Sequence, residues 1–198
     1  RTILLMQAAR PLFLWDGKSE ARKLSRFDGK DDSVDSFVWD RDGKSIYYTL
    51  NDYEAKTTKL CQSDLAASNC FAVELKGLWN VIDNNRGNIL LKYWKSSSNQ
   101  HIYLYSIGSG KLTPLSESGN ATKAFFLAGK PLALSEDSPE CGGGRCLTSV
   151  DPRSGTKEII SLKNVRGHLG DLKPSPDGKS LLIQEAFDGI DSLWIGKL

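Results

Sequence analysis

The chain has 198 residues, 39% apolar and 25% charged, the ordinary balance of a globular protein that can bury a core in one domain or one repeat array. Its 26 basic and 24 acidic residues interleave without a basic run, which leaves no electrostatic case for nucleic acid. No stretch approaches the ~18 consecutive apolar residues of a membrane span, and Ile3 to Met6 is too short for a signal peptide and lacks its flanks.

In chain order, Thr2 to Met6 reads as a strand, and Pro11–Trp15 and Glu20–Leu24 read as two more around an Asp16-Gly17 turn. The phrase Trp39-Asp40-Arg41-Asp42-Gly43-Lys44-Ser45-Ile46-Tyr47-Tyr48 follows. Asp42-Gly43 supplies a tight turn, because Asp bonds its own nearby backbone and Gly accepts a positive φ. Ile46-Tyr47-Tyr48 then favours a strand. The phrase returns as Pro174-Ser175-Pro176-Asp177-Gly178-Lys179-Ser180-Leu181-Leu182-Ile183. Two decayed copies lie between, at Ile82 to Leu91 and at Phe126 to Leu134. The turn glycines Gly43, Gly87, Gly129 and Gly178 are spaced by 44, 42 and 49 residues. Such a period marks one supersecondary unit copied in tandem.

A second hairpin follows each phrase. His101 to Ile107, the turn Gly108-Ser109-Gly110 and Lys111 to Leu115 form one. Cys146 to Val150, a turn at Pro152 to Gly155 and Thr156 to Leu162 form the next. Two hairpins give four antiparallel strands, the content of one propeller blade. The expected fold is therefore all-β: a propeller-type array of four-stranded antiparallel blades, about four or five in number with incomplete end blades. As a single propeller-like domain over 1–198 it divides into a partial blade 1–33, blades 34–75, 76–117 and 118–163, and a partial blade 164–198. The chain opens on a second strand and stops at a third, Ser192 to Ile195. One terminus cannot complete the other's blade, which points to a piece of a longer propeller or to trimmed outer blades. A β-sandwich would supply short strands and turns, but not the same phrase at near-constant spacing. The opening residue Arg1 fits a processed or excised polypeptide, with any anchor or targeting segment outside it.

Four cysteines form two close pairs: Cys61 with Cys70, and Cys141 with Cys146 around Gly142-Gly143-Gly144-Arg145. Each pair spans a hairpin, which fits two disulfides in an oxidising compartment. Each small loop would contribute about 2–3 kcal/mol on the loop-entropy model. Free thiols and a metal site are the alternatives. The spacings within the pairs and their placement on different blades do not suit a tetrahedral zinc centre.

Catalytic chemistry finds little support. The two histidines, His101 and His168, have no second ligand or nucleophile at motif spacing. There is no Gly-x-Ser-x-Gly elbow, and Gly142 to Gly144 lacks the Lys-Ser/Thr of a phosphate loop. Asp28 to Asp32 and Glu136 to Glu140 could offer oxygen ligands to calcium, but neither has EF-hand spacing and solvated loops explain both. The expectation is a non-enzyme with no cofactor and no metal. Trp15, Trp39 and Trp194 fall at repeat-equivalent places and are assigned to packing between blades. Trp79 and Trp94 are less regular: packing in the core is the favoured reading, and if exposed they form a candidate partner or sugar surface. Asn120-Ala121-Thr122 is a lone glycosylation sequon.

Ser175-Pro176-Asp177-Gly178-Lys179 before an apolar strand resembles the repeat of TolB-type, WD-like propellers. Trp39 to Lys44 is similar to it with Ser-Pro replaced, and Ile102 to Leu115 looks like that family's closing hairpin. Asp83 to Arg86 and Leu127-Ala128 depart from the pattern, which predicts irregular second and third blades. The resemblance covers nearly the whole chain and implies fold more than function. It offers three settings: the periplasmic, partner-binding TolB; the accessory propeller of prolyl-oligopeptidase-like enzymes; and the periplasmic half of CadC- or ToxR-like membrane regulators. The third is the expectation: a non-catalytic periplasmic sensor domain of a membrane-anchored transcriptional regulator. It would bind a protein or small-molecule signal, with no nucleic acid bound by this domain and any membrane anchor outside the chain. A TolB-like interaction propeller and a peptidase's accessory propeller are the alternatives, and a glycan-binding module comes third.

Overall fold

A computed structural model describes residues 3–6, 12–15, 18–23, 33–64, 71–96, 99–116, 121–151, 153–162, 168–175, 177 and 179–197. These residues form antiparallel sheets in sequence order, each built from adjacent hairpins. The first is three-stranded: β1 (Ile3–Met6), β2 (Leu12–Trp15) and β3 (Arg22–Lys23). Next come β4 (Ser33–Trp39), β5 (Ser45–Asp52), β6 (Thr57–Asp64) and β7 (Phe71–Lys76). The third sheet holds β8 (Trp79–Asn85), β9 (Asn88–Ser96), β10 (Asn99–Ser106) and β11 (Lys111–Pro114). The fourth holds β12 (Ala121–Leu127), β13 (Lys130–Ser138), β14 (Gly144–Val150) and β15 (Lys157–Ser161). The last is three-stranded: β16 (His168–Pro174), β17 (Ser180–Phe187) and β18 (Ile190–Lys197). The fold is the all-β array of four-stranded blades expected, with three strands at each end. Two compact units divide the chain, residues 1–82 and 83–198, with the boundary inside β8.

The central strands carry the core because both of their faces are covered. In β5 every residue from Ser45 to Thr49 is buried, and Ile46 and Tyr48 pack with Val34 and Cys61, flanked by Phe37, Trp39 and Leu50. In the second unit Phe125, Leu127, Leu132, Leu134 and Leu147 of the fourth sheet meet Leu169, Leu172, Leu181 and Ile183 of the fifth. Blade-to-blade burial of this kind is what makes a repeat stable only beside its neighbours.

Two turn geometries serve the repeated phrase. At the first copy Lys44 N donates to Asp42 Oδ1 at 2.8 Å, Gly43 N donates to the Asp40 carbonyl at 2.9 Å, and Gly43 takes φ +69°. At the last copy Lys179 N donates to Asp177 Oδ1 at 3.1 Å and Ser175 N to the Ser180 carbonyl at 2.8 Å. Its glycine, Gly178, lies outside the described residues. At the decayed copies the turns themselves are regular, while the register of their sheets shifts at Asn99/Gln100, Ala121/Lys123 and Ser135/Ser138. Arg86-Gly87 (φ 48° and 78°) and Ala128-Gly129 (φ 50° and 82°) form two-residue turns with both residues left-handed. That is the hairpin geometry matching strand twist, and the glycine alone sufficed to keep it. At Gly87 no atom would lie within 4 Å of an added Cβ. Gly87→Val is therefore expected to cost about 1–2 kcal/mol through backbone strain alone, read as a lower urea midpoint with an unchanged slope.

A feature not legible in the repeat joins neighbouring sheets. Val81 N in β8 donates to Ser36 Oγ in β4 at 2.7 Å. Phe126 N in β12 donates to Asp83 Oδ2 in β8 at 2.8 Å. In each case a polar side chain on the first strand of one blade caps a backbone N–H on the first strand of the next. The links span 45 and 43 residues, one repeat length. They satisfy donors that a strand edge would otherwise leave open.

Candidate functional site

In the second unit, the β8–β9, β12–β13 and β14–β15 turns lie at one end of their sheets and frame an open cleft of about 950 Å³. Antiparallel topology puts them there: the turn after a first strand and the turn after a third strand face the same way. Asn85, Arg86, Lys130, Asp151, Arg153 and Glu158 supply its polar and charged lining. Asn85 Nδ2 donates to the Gly129 carbonyl at 3.5 Å, tying one turn to the next. Lys130 Nζ and Glu158 Oε2 stand 3.4 Å apart, an exposed pair that contributes little to stability.

The β14–β15 loop is pinned by its own first residue. Asp151 Oδ1 accepts from Arg153 N at 2.7 Å and Ser154 N at 2.9 Å. Gly155 N donates to the Asp151 carbonyl at 2.8 Å, and Asp151 N to the Thr156 carbonyl at 2.9 Å. The Ser154 and Arg153 amides hold the Asp151 carboxyl below its ordinary value. Asp177 is lowered chiefly by the Ser175 hydroxyl, then by Lys179 N. Lys173 lowers Asp171. Each carboxylate binds its proton less tightly when folded than when unfolded. Stability is therefore full above the ordinary Asp value of 3.8 and is lost as pH falls through the lowered folded values. A thermal midpoint that falls as pH drops below about 5, and falls less in Asp151→Asn, is expected.

The residues singled out in the sequence scatter. Trp79 takes the core role and not the candidate partner surface: it is 6% exposed. Its N–H donates to Thr58 Oγ1 at 3.0 Å and its indole Nε1–H to the Lys76 carbonyl at 2.7 Å. Trp94 on β9 is at the surface, with the Lys92 ammonium 5.5 Å from its ring centre, and the Lys92 pKa is lowered by burial and then by nearby Lys123. Trp15 donates its indole N–H to the Ser19 carbonyl at 2.9 Å, and Trp39 packs on the core of its sheet. Trp194, expected between blades, is more than half exposed, because β18 is the edge of its sheet among the described residues. Cys141 and Cys146 form a disulfide across the β13–β14 hairpin, with a turn of 3-10 helix at Pro139–Cys141. Cys61 is also disulfide-bonded; Cys70 lies outside the described residues, as do Asn120 of the sequon and the Asp28–Asp32 cluster. Glu136 and Glu140 are ion-paired with Arg145 and Lys157 at 3.4 and 2.9 Å, so the second acidic cluster is a structural network. Among the described residues no group of three or more His, Cys, Asp or Glu could hold a metal. The cleft itself was not readable from sequence, since it joins three turns that are each unremarkable alone.

These sheets and turns define a β-propeller-type domain. Solved structures place it more narrowly. TolB from Acinetobacter baumannii matches over 99% of this chain and 49% of its own, at 18% identity and a TM-score of 0.65. An assigned TolB from Agrobacterium tumefaciens matches over 100% and 73%, at 12% identity and 0.69. A prolyl endopeptidase matches over 96% and 31%, at 15% identity and 0.66. The chain thus spans about half of the Acinetobacter TolB and a third of the endopeptidase. At such identities the likeness is one of fold, and the fold is TolB-like. No protein-family model and no curated sequence matches the chain.

Proposed function

We propose that this chain is a non-catalytic, protein-binding propeller domain of an extracytoplasmic protein, and that it holds its partner at the turn-lined cleft. The cleft carries the proposal. It is broad and open, it presents side chains of both signs, and its loops are fixed by backbone hydrogen bonds to a rigid sheet scaffold, the arrangement in which loops do recognition. The Cys141–Cys146 disulfide supports an oxidising compartment such as the periplasm. The TolB-like fold supports a protein as the partner. Service as the sensor half of a membrane-anchored regulator would add an anchor and a signal, and neither the fold nor the cleft argues for that addition. The likeness to prolyl endopeptidases favours a second reading, the accessory propeller of a peptidase, in which the cleft would face a catalytic domain.

A photo-crosslinking residue in place of Arg153 tests the proposal, with one in place of Pro139, at the opposite end of the same sheet, as control. The expected result, in protein produced in a bacterial envelope, is a discrete adduct with another protein from position 153 and none from 139. No adduct from 153, or equal adducts from both, overturns it.

A further inference from the structure

The charges around the cleft are not evenly matched. Its lining carries three cations, Arg86, Lys130 and Arg153, against two carboxylates, Asp151 and Glu158. Both carboxylates are already engaged. Glu158 Oε2 stands 3.4 Å from Lys130 Nζ. Asp151 Oδ1 takes the amides of Arg153 and Ser154 at 2.7 and 2.9 Å, which ties it to its own loop. The two guanidiniums differ. Arg86 and Arg153 are exposed, and among the described residues neither has an ion-pair partner.

Their backbones are fixed even though their side chains reach solvent. Arg86 is the first residue of the left-handed β8–β9 turn, at φ 48°. Arg153 N is bonded to Asp151 in the β14–β15 loop of the next sheet. Asn85 Nδ2, beside Arg86, donates to the Gly129 carbonyl of that sheet at 3.5 Å. A guanidinium suits a carboxylate, because it is planar, permanently charged and gives two parallel N–H donors. We propose that the segment held in the cleft is an acidic stretch of the partner polypeptide, and that Arg86 and Arg153 each take one of its carboxylates. This rests on the cleft being the protein-binding site.

A chain bearing several carboxylates fits this arrangement better than one small anion. A single carboxylate on an exposed arginine in an open cleft contributes little, because both ions keep most of their water. Two arginines on separate turns, spanned by one chain, make the second contact intramolecular, so the pair binds more tightly than either alone. The same lining supplies the hydroxyls of Ser149, Ser154 and Thr156, which can donate to or accept from an extended backbone. A basic segment would instead meet two guanidiniums of its own sign and two carboxylates that are already bonded.

Fluorescence anisotropy of the whole chain with two labelled peptides, alternating Asp-Gly and alternating Asn-Gly of equal length, tests this. At low salt the acidic peptide is expected to bind about tenfold more tightly. Arg86→Gln and Arg153→Gln each weaken it about fivefold, while Lys95→Gln, near the end of β9 remote from the cleft, leaves it unchanged. Equal binding or no binding of the two peptides overturns the proposal. So does an acidic preference that survives both arginine substitutions, or one that Lys95→Gln reduces as much. A photo-crosslinking residue in place of Ser154, in protein produced in a bacterial envelope, separates the two ways of failing. A protein adduct lost when Arg86→Gln and Arg153→Gln are combined supports the proposal. An adduct undiminished in that chain overturns the acidic assignment and leaves the cleft as a binding site. No adduct even with both arginines present removes the cleft reading, and this proposal with it.

Discussion

Leu147→Ala lowers the unfolding free energy by about 3 kcal/mol. Leu147 sits in β14 with no exposed surface, in the cluster that joins the fourth and fifth sheets. Truncation loses the transfer free energy of the removed methyls and leaves a cavity that two sheets held by hydrogen-bonded ladders cannot collapse to fill. The effect is read as a shift in the urea midpoint. It should exceed that of Leu182→Ala, one residue beyond a core position but on the open face, which should stay within about 0.5 kcal/mol. Equal losses at the two positions would mean that the described packing between these sheets is wrong.

Asp83→Ala is the second large effect, at about 2 kcal/mol. The carboxylate takes the Phe126 amide across the gap between sheets at 2.8 Å, and Phe126 is among the most deeply buried residues. Removing the acceptor leaves that N–H without its partner in a place water reaches poorly, which costs more than the bond itself is worth. Asp83→Asn keeps an acceptor oxygen of nearly the same shape and should lose about half as much. Loss in Asp83→Ala with recovery in Asp83→Asn separates the link from a general intolerance of substitution.

How much of this the sequence discloses depends on whether the cause is local. The Asp42-Gly43 turn is legible because Asp makes its hydrogen bond two residues on and Gly takes the left-handed angle, all within one phrase. The Cys141–Cys146 bridge is legible for the same reason. The turns at Arg86-Gly87 and Ala128-Gly129 are only half legible. Gly marks each, but nothing in Arg86 or Ala128 announces a left-handed residue, so these two turns look more irregular in the sequence than they are. Trp79 stays ambiguous in the sequence because the groups that hold it, Thr58 and the Lys76 carbonyl, lie outside its own strand. The Ser36–Val81 and Asp83–Phe126 links and the cleft are not legible at all. They depend on which strand stands beside which, a choice made by packing between repeats rather than by any one repeat.

The central claim is that one blade unit is copied along the chain and that polar side chains tie first strands of successive sheets, Ser36 to Val81 and Asp83 to Phe126. Amide hydrogen exchange tests it residue by residue. The account predicts slow exchange at Val81 and Phe126, comparable to the amides of β5, β9 and β13, and selective acceleration of Phe126 in Asp83→Ala and of Val81 in Ser36→Ala. Fast exchange of both amides in the unmodified protein, or acceleration spread evenly over all strands in either variant, would contradict it.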